Sequence, residues 1–257
     1  MTLRLYHTSD LHDRGAIAER LLALRRDEPG LLFDCGDSLR GSQTIYRRHE
    51  PIIAEIDRAG YDAQAVGNRE FHYLFGAVAA RARQMRHPLL CTNLVDVRGR
   101  RLPFEAERRF EVRTAERLWQ IRVFALLVVQ YPEGAPWERL FGWRFLDPIA
   151  VARRVAAETP EGTLLVVLSH LGLAHDRLLA RAVPRLDLIL GGHSHDTLAA
   201  PEYACGVPIV HAGPYGHFVS RTELEPVAGL RARIARFDLL PLRAGAGGSR
   251  AGARAAG

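Results

Sequence analysis

An α/β fold is what this sequence predicts, and three observations carry it. Short apolar runs of strand length alternate along most of the chain with stretches of helical periodicity. Strand after strand stops at a polar cluster that holds Asp, His or Asn, and in open α/β sheets ligands bind beyond the carboxyl ends of the strands. The chain has 257 residues, 47% apolar and 25% charged, which is enough for a large buried core.

Each element has its own signal. Residues 3–6 read as a first strand that ends in Thr8-Ser9-Asp10-Leu11-His12. A helical stretch at 16–26 places Ile17, Leu21, Leu22 and Leu24 at helical spacing, and Pro29-Gly30 stops it. A short buried strand at 31–33 runs into Asp34-Cys35-Gly36-Asp37. Pro51 suits the first turn of a second helix over 51–59. The third strand, 63–66, leads to Gly67-Asn68-Arg69-Glu70, and a helix is expected over roughly 71–84. From 103 to 130 the pattern is strand-like, with two or three antiparallel strands expected. Asp147-Pro148 opens a helix to 157; strand 164–168 ends at Ser169-His170. A helix near 176–182 leads to strand 186–190 and Gly191-Gly192-His193-Ser194-His195. Three further strands are expected over 207–240. The segment 244–257, built of Ala, Gly, Ser and Arg, reads as a disordered tail after one domain over 1–243.

The composition excludes disorder, collagen and coiled coil as the main architecture. All 35 basic residues are Arg, and Asn occurs only at 68 and 93. That bias fits a GC-rich genome and leans toward a thermophile. The net charge of +6 suits a protein that meets anions, phosphates included. Without interleaved Arg and aromatic residues, nucleic-acid binding is not expected. Cys35, Cys91 and Cys205 are odd in number and far apart, so no disulfide framework is expected, and no CxxC pair offers itself to zinc. The first 24 residues are too charged for a secretion signal. The longest apolar run, 123–129, is too short to cross a bilayer. A cytoplasmic protein with no membrane partner is the expectation.

Five strand ends carry metal-type ligands: Asp10 and His12, Asp37, Asn68, His170, and His193 with His195. In an extended segment both side chains of a D-x-H or H-x-H lie on one side. A hydrolase with two ions about 3.5–4 Å apart needs such a mixture of carboxylates and imidazoles. A lone His at a strand end is usually structural, but the joint occurrence of the set, each member after an apolar run, is hard to obtain by chance. Blander readings suit the rest. His7 belongs to the core or supports the site. His49, His87 and His175 belong on the surface. Cys35 packs beside Asp37. Trp119, Trp137 and Trp143 are core residues before they are stacking platforms.

Asp10-Leu11-His12, Gly36-Asp37, Gly67-Asn68-Arg69-Glu70, Ser169-His170 and Gly191-Gly192-His193-Ser194-His195 together resemble the five blocks of the calcineurin-like metallophosphoesterases. The branch resembled is that of the 5′-nucleotidases and 2′,3′-cyclic-nucleotide phosphodiesterases, over about residues 3–240. The resemblance implies a four-layer α/β/β/α sandwich of two mixed sheets. It also implies two divalent ions (Mn, Zn, Fe or Co) at one edge. Asp10, His12, Asp37 and His195 would hold one ion, and Asp37, Asn68, His170 and His193 the other, with Asp37 bridging. A hydroxide between the ions would attack phosphorus in line with the leaving oxygen. Asn68, Arg69 and His72 are the candidate catalytic residues on this resemblance, and Arg69, His211 and Tyr215 the candidate substrate contacts. The substrate implied is a small phosphoester, most of all a nucleoside 5′-monophosphate. A cyclic-nucleotide phosphodiesterase and a catalytically weak metal- and nucleotide-binding member are the alternatives.

Three departures from the family pattern stand out. The third block usually reads GNHE followed by Phe-Asp; here Arg69 replaces the His and His72 replaces the Asp. Relatives often carry a C-terminal domain that stacks on the base, and none is expected within these 257 residues. Members are commonly exported, and no signal is read here. Arg cannot act as an acid, but it can clamp phosphate oxygens in a bidentate contact. If Glu70 opens a helix, His72 shares a face with Arg69 and becomes the candidate acid. A plain surface ion pair of Arg69 with Glu70 or another carboxylate is the competing reading.

Overall fold

The computed structural model describes residues 2–115, 117–227 and 230–243. The expected tail at 244–257 lies outside the described residues. The first half follows a strand–helix alternation: β1 (Leu3–Thr8), α1 (Ala18–Asp27), β2 (Leu31–Asp34), α2 (Ile52–Ala59), β3 (Ala63–Ala65), α3 (Phe75–Ala82) and β4 (Leu89–Leu90). Next come β5 (Leu94–Asp96), β6 (Glu107–Arg113), β7 (Leu118–Leu127), α4 (Pro136–Phe141), β8 (Trp143–Phe145) and α5 (Pro148–Ala157). The chain then runs through β9 (Thr163–His170), α6 (Leu173–Ala182), β10 (Leu188–Gly191), β11 (Glu202–Ala204), β12 (Val207–His211), β13 (Phe218–Val227) and β14 (Leu230–Pro241).

Two six-stranded mixed sheets result. The first has the order β14-β13-β1-β2-β3-β4 and the second β11-β12-β10-β9-β7-β6. Strands β1 to β4, and β7, β9, β10 and β12, run parallel, while β13 and β14 join the first sheet, and β6 and β11 the second, by antiparallel pairing. Strands buried on both faces need apolar side chains in both directions, and 163–170 shows how this works. Leu164, Val166 and Leu168 face Leu5, Phe33 and Ala65 of the other sheet, while Leu165 and Val167 pack with Val151, Val155 and Leu179 of α5 and α6. On the far face of the first sheet, Tyr6 and Leu32 pack with Leu21, Ile52 and Ile56 of α1 and α2. The layers are therefore helix, sheet, sheet, helix, as the resemblance implies.

Several expectations shift. The helix expected at 71 begins at Phe75, because Gly67–Phe71 forms a turn closed by the Phe71 N–H on the Gly67 carbonyl. Helix α6 starts three residues before Asp176. The three strands expected over 207–240 are β12, β13 and β14, whereas β5, β8 and β11 carried no clear sequence signal and are three-residue strands stabilised by neighbours. Trp119 and Trp143 are buried, whereas Trp137 is half exposed. His87, expected on the surface, is buried with Nε2 2.7 Å from Gln64 Oε1, because strand β4 follows it directly inward. Among the described residues no helix is long and apolar enough to cross a membrane.

Candidate metal centre

The parallel strands of both sheets point their carboxyl ends to one edge of the sandwich, and the candidate ligands meet there. Asp10, Asp37 and Asn68 follow β1, β2 and β3; His170 ends β9; His193 and His195 follow β10. Backbone hydrogen bonds lock the first two loops together, from the Asp10 N–H to the Gly36 carbonyl (2.9 Å) and from the His12 N–H to the Asp37 carbonyl (3.0 Å). Asp10, His12, Asp37, His193 and His195 all adopt positive φ, between 46° and 75°. That conformation is costly for residues other than glycine, and such outliers cluster where the surroundings force a functional geometry.

The ligand atoms of Asp10, His12 and His195 lie within 4.8 Å of one another, and so do those of Asp10, Asp37 and His170. His12 Nε2 sits 2.9 Å from His195 Nε2, and His195 Nε2 is 3.6 Å from Asp10 Oδ1. His170 Nε2 lies 3.3 Å from Asp37 Oδ1. Asp10 belongs to both clusters and Asp37 to the second, where the resemblance implies Asp37 as the bridge. The charge of Asp37 acts on both His12 and His170. Asn68 Nδ2 is 3.4 Å from His193 Nδ1, and the His170 and His193 rings stand 5.0 Å apart.

Charges in the cluster are crowded. Burial raises the Asp10 carboxyl, and the negative charge of Asp37 adds to that rise. Burial and then Asp37 likewise raise Glu70. Burial opposes charge on Asp37 and His170 too, but each partner's charge outweighs it, which holds Asp37 down and His170 up as an ion pair. Burial holds His12 and His193 at about 4, so both rings are neutral at pH 7 and carry a lone pair for an ion. His170 Nε2 and His12 Nδ1 are buried without a hydrogen-bond partner. Crowded carboxylates, neutral His12 and His193 imidazoles and a His170 Nε2 that meets only Asp37 fit a divalent cation.

Surrounding residues hold this geometry. Glu70 is buried, and its carboxylate accepts the N–H groups of Asp37, Ser38, Leu39 and Gly67. Gly67 is required by proximity: a Cβ there would lie 2.4 Å from Asp37 N and 2.5 Å from Asp37 Oδ1. Asp34 accepts from the Gly36 N–H, Ser38 Oγ and Thr8 Oγ1. The His170 ring is fixed by Nδ1–H donation to the Cys35 carbonyl at 2.7 Å, the outer contact typical of a metal-ligating imidazole. Cys35 packs here as expected, its thiol pushed up by burial. Sequence reasoning missed Gln130, which donates from Nε2 to Asn68 Oδ1 at 2.9 Å, and Gln43, which donates to Gln130 Oε1 at 3.2 Å. Nothing local marks either glutamine; only the fold brings them to Asn68.

The remaining candidates divide. The Arg69 amide donates to Asp37 Oδ1 at 2.8 Å, and its guanidinium Nη1 donates to the carbonyls of Arg40 and Gly41. The positive charge of Arg69 reaches His12. The competing ion pair with Glu70 gives way to these contacts, since the Glu70 carboxylate is saturated by amides. The Tyr215 ring, 37% exposed, stands 5.6 Å from both the His12 and His195 rings, at the rim. Two expectations are corrected. His72 is buried, its Nδ1 accepts the Leu74 N–H at 2.9 Å, and no contact joins it to a candidate ligand among the described residues. The turn at 67–71 replaces the helix that would have aligned it with Arg69. His211 is 1% exposed and pairs with Asp176, so it does not line the rim with Tyr215.

A layered sandwich with carboxylate and imidazole clusters at its strand ends is the frame in which the chain compares with known proteins. By sequence and by fold the chain is a relative of the metallophosphoesterases and 5′-nucleotidases. It is 29% identical over 235 residues to the uncharacterized metallophosphoesterase YunD of Bacillus subtilis, covering 86% of this chain and 50% of that one. It is 27% identical over 290 residues to a 5′-nucleotidase of Vibrio cholerae, covering 93% of this chain and 51% of that one. The fold matches a 5′-nucleotidase precursor from Thermus thermophilus with a TM-score of 0.76 at 23% identity, over 94% of this chain and 54% of that one. The chain thus spans about half the length of the curated relatives it matches. No family model matches it.

Proposed function

We propose that this chain carries out divalent-metal-dependent hydrolysis of phosphoesters, with phosphomonoesters such as nucleoside 5′-monophosphates as its substrates. The observation that carries this reading is the convergence of Asp10, His12, Asp37, His170 and His195 into two overlapping clusters whose ligand atoms lie within 4.8 Å. Asp10, His12 and His195 are assigned to one ion; Asp37, Asn68, His170 and His193 to a second, with Asp10 and Asp37 between them. Two bound ions supply an acidified water and neutralise charge that gathers on phosphate.

The protein's own groups do the rest. Asn68 is oriented by Gln130 and keeps a second carbonyl lone pair for an ion. Arg69 commits Nη1 to two carbonyls, which anchors the guanidinium and leaves Nε and Nη2 for phosphate oxygens. Tyr215 covers the His12–His195 pair and offers a face to the group that leaves. With contacts concentrated on phosphate, the base should alter kcat/KM by less than about tenfold, near 1.4 kcal/mol.

The test is a phosphatase screen of chelated, then reconstituted protein with Mn, Zn, Co and Mg, across nucleotides and a generic aryl phosphate. Metal-dependent turnover of several nucleoside monophosphates is expected. Divalent ions at trace level after reconstitution sink the reading, and a preference of about a thousandfold for one base, near 4 kcal/mol, sinks the specificity claim.

A further inference from the structure

We infer that Asp176 and His211 form a positioning clamp behind the metal centre, which sets the spacing between His170 and the loop carrying His193 and His195. The inference rests on the metal-dependent reading above. Gly191 of β10 pairs with Ser169 of β9 on one side and with His211 of β12 on the other, so the three residues form one row across parallel strands. In such a row side chains project to the same face. Asp176, from the first turn of α6, comes down on the row over Gly191. Its Oδ2 accepts from His211 Nε2 at 2.7 Å, and its Oδ1 accepts the Ser169 hydroxyl. Gly191 makes room for this bridge: a Cβ there would lie 2.1 Å from His211 Nε2 and 2.5 Å from Asp176 Oδ2. The Gly191 carbonyl is held as well, by His7 Nε2 at 3.1 Å, while His7 Nδ1 meets Ser220 Oγ at 3.1 Å.

Every side chain in this cluster is buried. A carboxylate withdrawn from water is costly unless both oxygens are satisfied, and here two strands satisfy them. The row stands immediately before the ligands. Ser169 precedes His170, and Gly191 is two residues from His193. Helix α6 also grips the loop itself, since the Leu173 N–H donates to Ser194 Oγ at 3.0 Å. One helix therefore ties both strand ends that deliver imidazoles. Metal–ligand distances tolerate only about 0.2 Å, so a small slip of β10, held between β9 and β12, changes the fit of an ion without unfolding the sheet.

The experiment is calorimetric titration of the chelated full chain with Mn, with the melting temperature of the metal-free form read alongside. His211→Ala should weaken Mn binding about tenfold, the low end of outer-contact effects. His211→Gln, whose amide can still donate to Asp176, should return the Kd to within about threefold of the parent, well inside that tenfold loss. A purely structural role lowers the melting temperature and leaves the Kd of the folded protein where it was; that result overturns the clamp. If His211→Ala does not fold, Ser169→Ala decides, with weaker Mn binding expected and an unchanged Kd overturning the inference. A parent chain that takes up no Mn overturns the metal reading and the clamp together, whereas unchanged variants of a Mn-binding parent overturn the clamp alone.

Discussion

Asp10 and Asp37 are the residues on which the proposed chemistry turns, because Asp10 belongs to both clusters and Asp37 meets His170 within the second. Asp37→Asn and Asp10→Asn should each lower metal-dependent phosphatase activity by more than about a hundredfold, beyond the range of an outer partner; either variant retaining a tenth of parent activity argues against a shared carboxylate. Arg69→Ala should lower kcat/KM by about tenfold or more if the guanidinium clamps phosphate, and a change below about threefold, near 0.65 kcal/mol, assigns it to loop structure alone. His72 spends its Nδ1 on the Leu74 N–H and is not assigned as the acid. His72→Ala should therefore slow alkyl and aryl phosphates by the same factor, whereas a selective loss on the alkyl substrate would restore it as the acid. His87 makes a stability prediction. Burial, only partly opposed by Asp57, holds its folded-state value at about 4, below the ordinary 6.5. The unfolded chain then binds a proton that the folded chain refuses, so stability from this group is complete above pH 6.5 and is lost as pH falls through about 4. Measured by thermal melts between about pH 7 and pH 5, His87→Gln should lose less stability than the parent.

At the scale of elements, the ends of strands and helices carry the function, and their signals differ in strength. Asp147 caps α5, its Oδ1 accepting the Ala150 N–H at 2.6 Å with Pro148 in the first turn, and that helix was legible from Asp147-Pro148 alone. Replacing Asp147 by Ala should cost about 1 kcal/mol, or roughly 2–4 °C in the melting temperature, with activity unchanged because the cap lies outside the ligand set. The helix expected from 71 begins only at Phe75, because Phe71 continues the apolar pattern while Glu70, committed to four loop amides, holds the chain in a turn. No local pattern announces that commitment, since the amides belong to residues 37–39 as well as to Gly67.

Across the whole molecule the site spans both sheets. Asp10, His12, Asp37 and Asn68 come from the first, and His170, His193 and His195 from the second. Ions held between them would staple the layers together and bind the folded chain alone. At an ion concentration of about 100 times Kd such binding adds about 2.7 kcal/mol, which for a domain of this size raises the melting temperature by about 5–10 °C. A calorimetric scan of chelated protein with and without Mn checks this, and coincident transitions would mean that no site of that affinity exists.

Periodicity and strand-end chemistry were enough to point to an α/β fold and to the seven candidate ligands, while the four-layer arrangement came from the family resemblance. Both are local facts: strand and helix periods are written within about ten residues, and a ligand that follows an apolar run is carried to the strand end whatever its neighbours do. The partners of those ligands emerge only when the chain is folded. Gln130 lies 62 residues from Asn68, and His211 lies 35 from Asp176; the stretch around each carries no signal until the sheets assemble. The same holds for burial, which turned His87 inward and closed His211 behind Gly191. A side chain's surroundings are set by contacts between distant segments, and those contacts form only when the two sheets pack face to face and pool their strand ends at one edge.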